Sequence, residues 1–327
     1  MTITVMIATR DRCHDLRITC SKLMQLRPLP DEVIIWSDGC TDGTAAMVRS
    51  DFPGFQLIES ARPMGSVFGR DRMLRLARGE VVVSLDDDSH PVQRDFLIRL
   101  HNVIEQHPEA AVVSFAELRD GGEYAGLDKT ESSRGHYVSS YANCAAAMRR
   151  DFYLAQPGFV PFFGHMYEET DYALQCYAAR AGVWFEPTVV VRHRQSGVNR
   201  AAMARHQQNA RNELCSVWLR CPWPWMPVIS AYRIARQFVY ACSQGVHWAL
   251  AEPCWWAAAL RGVTWCRRQR RPIAWPVYAQ WMCLARKPVY SIAELRRRFL
   301  TSVTGENIAR PGERECVKPD MSTASVQ

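Results

Sequence analysis

The sequence predicts an α/β fold: a mixed, mostly parallel sheet flanked by helices, with a helical extension at the C-terminus. In the first 115 residues, short apolar runs alternate with segments of helical periodicity, which implies crossover connections and parallel neighbouring strands. The runs at 33–35 and 81–83 are apolar throughout, as expected of strands covered on both faces. The composition changes after residue 220, and this change predicts the extension.

The predicted elements of the N-terminal part alternate between strand and helix. The strands cover residues 2–8, 32–36, 55–58, 80–85 and 110–115. The helices between them cover residues 15–26, 44–49, 66–77 and 95–107. Residues 116–140 are polar and contain several glycines, which predicts a long loop or irregular strands. Beyond them we predict strands at 141–148 and 183–193 and helices at 170–181 and 200–219.

Charge and tryptophan content divide the chain at about residue 220. Residues 222–300 hold 12 Lys and Arg against two acidic residues, a net charge of +10, so the rest of the +7 chain sums to −3. The same segment holds eight of the 11 tryptophans. We therefore predict a domain at residues 1–219, a basic amphipathic helical extension at 220–302 and a disordered tail at 303–327.

The extension contains no segment that is long enough to span a membrane. Its runs without Lys, Arg, Asp or Glu reach about 15 residues, and a spanning helix needs about 20 apolar residues. The RRQRR sequence at 267–271, between Trp265 and Trp275, is typical of a surface that contacts anionic lipids. The alternative is a helical subdomain that packs against the first domain and keeps its arginines in water.

The cysteines and the N-terminus bear on the compartment. The 12 cysteines are scattered and form no CxxC pair, which argues against a disulfide framework or a zinc site. Residues 2–7 are too short to be the apolar segment of a signal peptide, and Arg10 follows them closely. We therefore expect a cytoplasmic protein whose thiols are reduced. The protein would be either dissolved in the cytoplasm or bound peripherally at the cytoplasmic face of the membrane.

Three adjacent acids, Asp86, Asp87 and Asp88, follow the fourth predicted strand. Ligands of open α/β sheets bind at the carboxyl ends of the strands, and hard cations such as Mg²⁺ or Mn²⁺ prefer carboxylate oxygens. Because residues i and i+2 of an extended chain point the same way, we expect Asp86 and Asp88 to face the crevice and Asp87 to face away. The alternative is a set of helix caps or a solvated turn.

A second polar segment, SDGCTDGT at residues 37–44, follows the second predicted strand. Its Asp-Gly dipeptides are typical of turns, and alone they indicate only a connection. Together with the acids some 45 residues later, the segment belongs to an ordered set of motifs. The chain resembles the family 2 glycosyltransferases, which have the GT-A fold, a Rossmann-type architecture. The matching segments, spread over residues 2 to about 218, are ATRDR (8–12), SDGCTDGT (37–44), GSVFGRD (65–71), LDDD (85–88), GHMYEETDY (164–172) and VRH (191–193).

The resemblance implies a nucleotide-sugar donor and a divalent cation, Mn²⁺ or Mg²⁺. It implies a metal site at Asp88, with Asp86 and His193 as further ligands. It also implies that Arg70 lies near the diphosphate, whose oxygens a guanidinium pairs with well. The full set of donor-binding residues that it implies is Thr9, Arg10, Asp38, Arg70, Asp86 and Asp87.

The pair Glu168 and Glu169 supplies the catalytic carboxylate that the resemblance implies. Sugar transfer to a hydroxyl needs a base that takes the acceptor's proton. Glu169 matches the family's base by position, and Glu168 is the competitor, because the family usually has Glu-Asp here. The alternative is that both acids stabilise the N-terminus of a helix through its dipole.

We therefore expect a metal-dependent, inverting glycosyltransferase of the hexosyl or deoxyhexosyl class. Its acceptor would be a glycan or a lipid-linked saccharide, as in polysaccharide biosynthesis, and the extension would contact an anionic membrane peripherally. One alternative is a sugar-phosphate nucleotidyltransferase, although the loop at residues 8–12 lacks the glycines that such an enzyme needs. The other is a non-enzymatic module that binds membrane or nucleic acid. That module would leave the acidic motifs unexplained, so we do not expect nucleic acid as a partner.

Overall fold

A computed structural model describes residues 1–120, 134–194 and 201–299, together with the backbone of Tyr124–Ala125. The predicted disordered tail at 303–327 lies outside these residues, as does part of the predicted loop at 116–140. The described cysteines are free thiols, as the sequence predicts.

The described residues form one ten-stranded sheet. Its main path runs β3-β2-β1-β4-β9-β6-β10-β5, with β7 paired to β6 and β8 paired to β10. The strands are β1 (Ile3–Thr9), β2 (Glu32–Asp38), β3 (Gln56–Ser60), β4 (Val81–Asp86), β5 (Ser89–Pro91), β6 (Ala110–Arg119), β7 (Tyr124–Ala125), β8 (His136–Tyr137), β9 (Ala146–Arg149) and β10 (Gly182–His193).

Helices cover both faces of the sheet and form the C-terminal part. They are α1 (Cys13–Leu23), α2 (Thr44–Asp51), α3 (Ser66–Leu76), α4 (Phe96–Gln106), α5 (Arg150–Leu154), α6 (Glu168–Ala178), α7 (Ala202–Arg220), α8 (Trp225–Gln244), α9 (Val246–Gln269), α10 (Trp275–Leu284) and α11 (Ile292–Phe299). Single 3₁₀ turns lie at Asn143–Ala145 and Pro161–Phe163.

The long strands pair in parallel. Strands β1 to β4 form one parallel block, β6 and β10 form another, and the short antiparallel strand β9 joins the two blocks. The side chains of β1 and β2 are almost all buried because helices cover both faces. The predicted fold class, a mixed and mostly parallel sheet followed by a helical extension, is confirmed.

Three differences from the predicted elements matter for the site. Strand β6 continues to Arg119 instead of ending at 115, because it pairs along its whole length with β10, and this pairing brings Glu117 to the end of β10. The predicted strand at 141–148 is wrong in its first half, where Asn143–Ala145 form a 3₁₀ turn, and only Ala146–Arg149 are a strand. Strand β5, which the sequence did not predict, pairs with the end of β10.

The helices after residue 220 pack against the sheet-containing part. Trp265 stacks on Phe162 with ring centroids 4.8 Å apart, and Phe299 stacks on Tyr177 at 4.6 Å. Trp281 donates a hydrogen bond of 2.9 Å to the carbonyl of Ser139. The extension therefore shares a hydrophobic core with the rest of the chain, and the boundary at residue 219 stays a prediction.

The extension also carries most of the exposed apolar surface. Of the 17 large apolar side chains exposed in the described ranges, ten lie between Trp223 and Leu260. Val246 and Leu250 are 76% and 75% exposed. Apolar exposure in the described ranges is therefore concentrated in the extension. Among the helices of the described residues, none has the combined length and apolar character that crossing a bilayer requires.

Candidate active site

The three acids after β4 have different surroundings. The strand ends at Asp86, and Asp87 and Asp88 form a turn, so alternation along an extended chain stops at Asp86. The side chain of Asp86 is 30% exposed, whereas that of Asp88 is 1% exposed. The expectation that Asp86 and Asp88 face the crevice together therefore holds for Asp86, while Asp88 lies buried behind it.

Arg12 neutralises the two buried acids of the turn. Its guanidinium contacts Asp87 Oδ1 and Asp88 Oδ2, each at 2.6 Å. Thr9 Oγ1 donates a hydrogen bond of 2.8 Å to the other oxygen of Asp87. Burial alone would raise the pKa of Asp88, but hydrogen bonds from His193 and Arg12 hold this pKa well below its usual range. The sequence predicted a role for Arg10, which is exposed, and missed Arg12 in the same loop.

His193 connects the end of β10 to the acids. Its Nε2 lies 3.1 Å from Asp88 Oδ1, and its Nδ1 lies 2.7 Å from Glu117 Oε1. Burial lowers the pKa of His193, but hydrogen bonds to Asp88, Cys144 and Glu117 outweigh it and raise this pKa to about 12. Glu117 fixes the orientation of the imidazole ring, as carboxylates do for histidines that bind metals.

Asp86, Asp88 and His193 could hold a metal ion. One ligand atom from each lies within 4.8 Å of the others. Two carboxylates and one imidazole form a donor set that suits Mn²⁺ or Mg²⁺, which prefer oxygen ligands and accept a histidine nitrogen. These are the three residues for which the sequence predicted a metal site.

Arg70 joins the acids after β4 to the start of α6. It is buried, and its guanidinium contacts Asp86 and lies 3.3 Å from Glu168 Oε1. Asn143 Nδ2 donates a hydrogen bond of 3.0 Å to the same oxygen of Glu168. Arg70 was predicted from the sequence to bind the donor, and Asn143 was not predicted at all.

The two glutamates at the start of α6 differ in their partners. Glu168 is buried and ion-paired with Arg70. Glu169 is half-buried, lines a cavity, and accepts a long hydrogen bond of 3.5 Å from the backbone N–H of Asn143. Burial, and then the neighbouring charge of Glu168, raise the pKa of Glu169 above its usual range. Glu169 thus has the higher proton affinity that a general base at neutral pH requires.

Asn212 on α7 holds the loop that leads into α6. Its Nδ2 donates to the carbonyls of Phe163, His165 and Met166 at 3.1, 2.8 and 2.8 Å. In this loop Met166 and Tyr167 have positive φ angles of 69° and 73°, a conformation that costs free energy for residues other than glycine. The buried amide therefore stabilises the strained backbone that places Glu168 and Glu169. The sequence gave no indication of this role.

Asp38, one of the predicted donor-binding residues, holds a backbone turn in a similar way. Its carboxylate accepts hydrogen bonds from the backbone N–H groups of Met64 and Gly65 at 2.7 and 3.0 Å. Gly65 has a φ of 92°, and a Cβ on it would lie 2.5 Å from the carbonyl oxygen of Gly164. Asp38 therefore fixes the turn from which α3 starts and so helps to position Arg70. Its predicted role in donor binding stays a prediction.

One cavity of about 330 Å³ brings many of these side chains together. Five residues predicted from the sequence line it: Arg70, Asp86, Glu168, Glu169 and His193. Glu117, Asn143, His165 and Arg205, which the sequence did not predict, line it as well. Five other predicted residues are outside its lining: Thr9, Arg10, Asp38, Asp87 and Asp88.

Comparison with protein families identifies this region. Residues 4–155 match the family described as Glycosyl transferase family 2. This segment is similar to family 2 glycosyltransferase domains. The glycosyltransferase match confirms the predicted enzyme class, and a purely membrane-binding or nucleic-acid-binding module does not account for it. No curated protein matches the sequence.

Solved structures share the fold of this chain at low sequence identity. The mannosyltransferase PcManGT from Pyrobaculum calidifontis, in complex with GDP-Man and Mn²⁺, is 18% identical with a TM-score of 0.55, and the match covers 80% of this chain and 87% of that one. GalNAc-T7 with UDP, GalNAc and Mn²⁺ is 13% identical with a TM-score of 0.56, covering 69% and 49%. S. aureus TarS 1-349 with UDP-GlcNAc is 15% identical with a TM-score of 0.52, covering 66% of each chain. These likenesses establish the GT-A fold.

Proposed function

We propose that this glycosyltransferase moves a hexosyl or deoxyhexosyl group from a nucleoside-diphosphate sugar to a hydroxyl of a glycan or lipid-linked saccharide. The reaction depends on a divalent cation and inverts the anomeric carbon. One observation carries the proposal: Asp86 and His193, from the metal-binding cluster, line the same cavity as Glu169. A donor's diphosphate and an acceptor's hydroxyl can therefore meet in one place.

Asp86, Asp88 and His193 would hold the cation, and Arg70 would pair with the diphosphate. When bound, the cation offsets the negative charge that develops on the leaving diphosphate. The matching structures that contain GDP-Man with Mn²⁺ and UDP with Mn²⁺ support this choice of donor and metal. Thr9, Arg10, Asp38 and Asp87 would bind the nucleoside, or hold the loops that do.

Glu169 would act on the acceptor side. It takes the proton from the acceptor hydroxyl while the hydroxyl oxygen forms its bond to the anomeric carbon. The bond between that carbon and the diphosphate breaks, and its electron pair leaves with the nucleoside diphosphate. Glu168 is the weaker candidate for the base, because Arg70 and Asn143 already hold its carboxylate.

The extension would bind the surface of an anionic membrane, at the cytoplasmic face. The exposed apolar residues between Trp223 and Leu260 and the arginines at 267–271 support this contact. A peripheral position would bring the active site to a lipid-linked acceptor.

Thermal unfolding in the presence of nucleotides tests the proposal. A ligand that binds only the folded state stabilises it by about 2.7 kcal/mol at a concentration of 100 times its Kd. We expect one nucleoside diphosphate to raise the melting temperature in Mn²⁺ and to lose this effect in EDTA. A panel of nucleoside diphosphates with no Mn²⁺-dependent effect would contradict the proposal.

A further inference from the structure

A second cavity adjoins the active site on the side of the extension. Its volume is about 690 Å³, and residues of α6, α7, α8 and α10 line it. Tyr167 and Thr170, which flank Glu168 and Glu169 in the sequence, line both this cavity and the first one. The second cavity therefore reaches the same loop and helix start that present the catalytic carboxylate.

The walls of this second cavity combine apolar surface with positive charge. Its apolar lining includes Ile229, Tyr232, Trp281 and Met282. The lining contains one carboxylate, Glu213, and four cationic side chains: Arg233, Arg236, Arg286 and Lys287. The formal charge of the lining is therefore +3. Glu213 is ion-paired with Arg233 at 2.9 Å and with Arg236 at 2.5 Å, whereas Arg286 and Lys287 are exposed at the edge.

We propose that the second cavity binds the acceptor as a hydrocarbon-tailed phosphate ester, that is, a lipid-linked substrate. The inference rests on the proposed glycosyltransferase activity and assigns its acceptor class. The phosphate pairs with Arg286 and Lys287, since phosphate contacts with cations are charge-assisted hydrogen bonds. The hydrocarbon lies on the apolar walls, and the hydroxyl-bearing end passes Tyr167 towards Glu169.

Helix α8 supplies the argument for a lipid rather than a free sugar phosphate. It contributes Ile229 and Tyr232 to the cavity, and the same helix exposes Val228 and Val239 to solvent. The apolar wall is thus continuous with the exposed apolar surface of the extension, along which a hydrocarbon chain can leave.

Binding of farnesyl monophosphate to the full chain tests the assignment, measured by titration calorimetry below the concentration at which the lipid forms micelles. We expect farnesol and inorganic phosphate to bind at least about tenfold more weakly, because each lacks one of the two recognised parts. Arg286→Gln with Lys287→Gln should weaken farnesyl monophosphate binding at least about tenfold. Arg261→Gln with Arg296→Gln removes the same charge from exposed positions that are outside both the cavity and the arginines at 267–271, and should change farnesyl monophosphate binding less than about twofold.

Two results would overturn the assignment. Equal weakening in both double variants would show general electrostatic attraction to the basic extension, as on an anionic lipid surface. Equal binding of farnesol and farnesyl monophosphate, or no binding of either, would leave the cationic edge without a role. Titration of the same panel of nucleoside diphosphates with Mn²⁺ on the same proteins separates this inference from the proposed function. Nucleotide binding without farnesyl monophosphate binding refutes the acceptor site alone, and the reverse result refutes the glycosyltransferase proposal while the lipid-phosphate site remains.

Discussion

The sheet-containing part and the C-terminal extension manage charge and apolar surface in opposite ways. At the end of β4 the sheet buries Asp87 and Asp88 and neutralises them with Arg12. The extension instead exposes apolar side chains such as Val246 and Leu250 and leaves many of its arginines in water. The difference fits the two ligands proposed above: a small, highly charged one at the sheet and an amphiphilic one at the extension.

Burying Asp87 and Asp88 at the end of β4 costs free energy, and this cost shows that the site must supply or bind positive charge. A buried carboxylate without a partner is strongly unfavourable, so the protein must supply cations or bind one. Arg12, Arg70 and His193 supply part of this compensation. The side chain of Asp86 stays partly open to the cavity, where a metal ion and a diphosphate can add to it.

The largest expected effect concerns Glu169, the proposed base, which lies at the start of the helix that borders both cavities. Replacing Glu169 by Gln keeps the size of the side chain and removes its ability to accept a proton. We expect turnover to fall by about 10²–10⁴-fold. Nucleotide affinity should stay within about twofold, because Glu169 is not part of the metal-binding cluster. The measurement is release of nucleoside diphosphate from the sugar donor, and a loss of less than tenfold would move the base to Glu168 or elsewhere.

The next effect concerns the donor side alone. Asp88→Asn removes a carboxylate that we assign to the metal, and we expect Mn²⁺-dependent nucleotide binding to weaken by more than about 100-fold. Calorimetric titration with and without Mn²⁺ measures it. Asp151→Asn is the matched control, since that side chain is 96% exposed and lies outside the cavity. Nucleotide affinity that is the same in both variants would remove Asp88 from the metal site.

Asn212→Ala tests whether the strained loop serves catalysis or only folding. Three carbonyls lose their donor, so we expect a loss of about 1–3 kcal/mol in the free energy of unfolding. We also expect kcat to fall by about tenfold while nucleotide affinity is unchanged, because the loop positions Glu169 and not the metal-binding cluster. Denaturant unfolding and steady-state kinetics measure the two effects. A destabilised variant with unaltered kcat would make Asn212 a purely structural residue.

The extension can be tested separately from the sheet. Val246→Asp puts a charge on the exposed apolar surface, and we expect binding to anionic vesicles to weaken by about tenfold, since burying such a side chain is worth about 1.5–3 kcal/mol. Leu154→Asp makes the same kind of change on an exposed apolar residue of the sheet-containing part. Vesicle flotation should distinguish the two variants. Equal binding would argue for a packed subdomain whose exposed residues have no role at membranes.

The smallest effect is a shift in pH dependence. Glu169 acts in its deprotonated form and its pKa is raised, so activity is lost as the pH falls through this raised pKa, well above the ordinary glutamate value of about 4.3. Glu168→Gln removes the neighbouring negative charge that contributes to the shift. We expect the midpoint of the kcat profile to move to lower pH in this variant. A midpoint that stays in place would mean that burial alone raises the pKa.

Local patterns were sufficient to predict the fold and to name five of the residues that line the candidate active-site cavity. The acids after β4, the arginine of α3 and the glutamate pair at the start of α6 each follow from residues close together in the sequence. Asp86, Arg70, Glu168 and Glu169 line one cavity because the loops and helix starts that carry them gather at the carboxyl ends of the parallel strands, along one edge of the sheet.

The remaining site residues depend on contacts between distant segments. Arg12 meets Asp88 across 76 positions, and Asn212 meets the carbonyl of Met166 across 46. Nothing in the loop at residues 8–12 distinguishes Arg12 from Arg10 until the turn after β4 is placed against it. Glu117 was missed because the end of β6 is set by its pairing with β10 and not by its own apolar pattern.

The central claim is that the acids at the end of β4, with His193, share a cation with the donor's diphosphate. Free Mn²⁺ followed by electron paramagnetic resonance tests it most directly, with and without a nucleoside diphosphate, in the wild type and in Asp86→Asn. We predict that nucleotide and wild-type protein together deplete free Mn²⁺ beyond the sum of their separate effects, and that Asp86→Asn abolishes this cooperativity. Equal cooperativity in the two proteins would contradict the account.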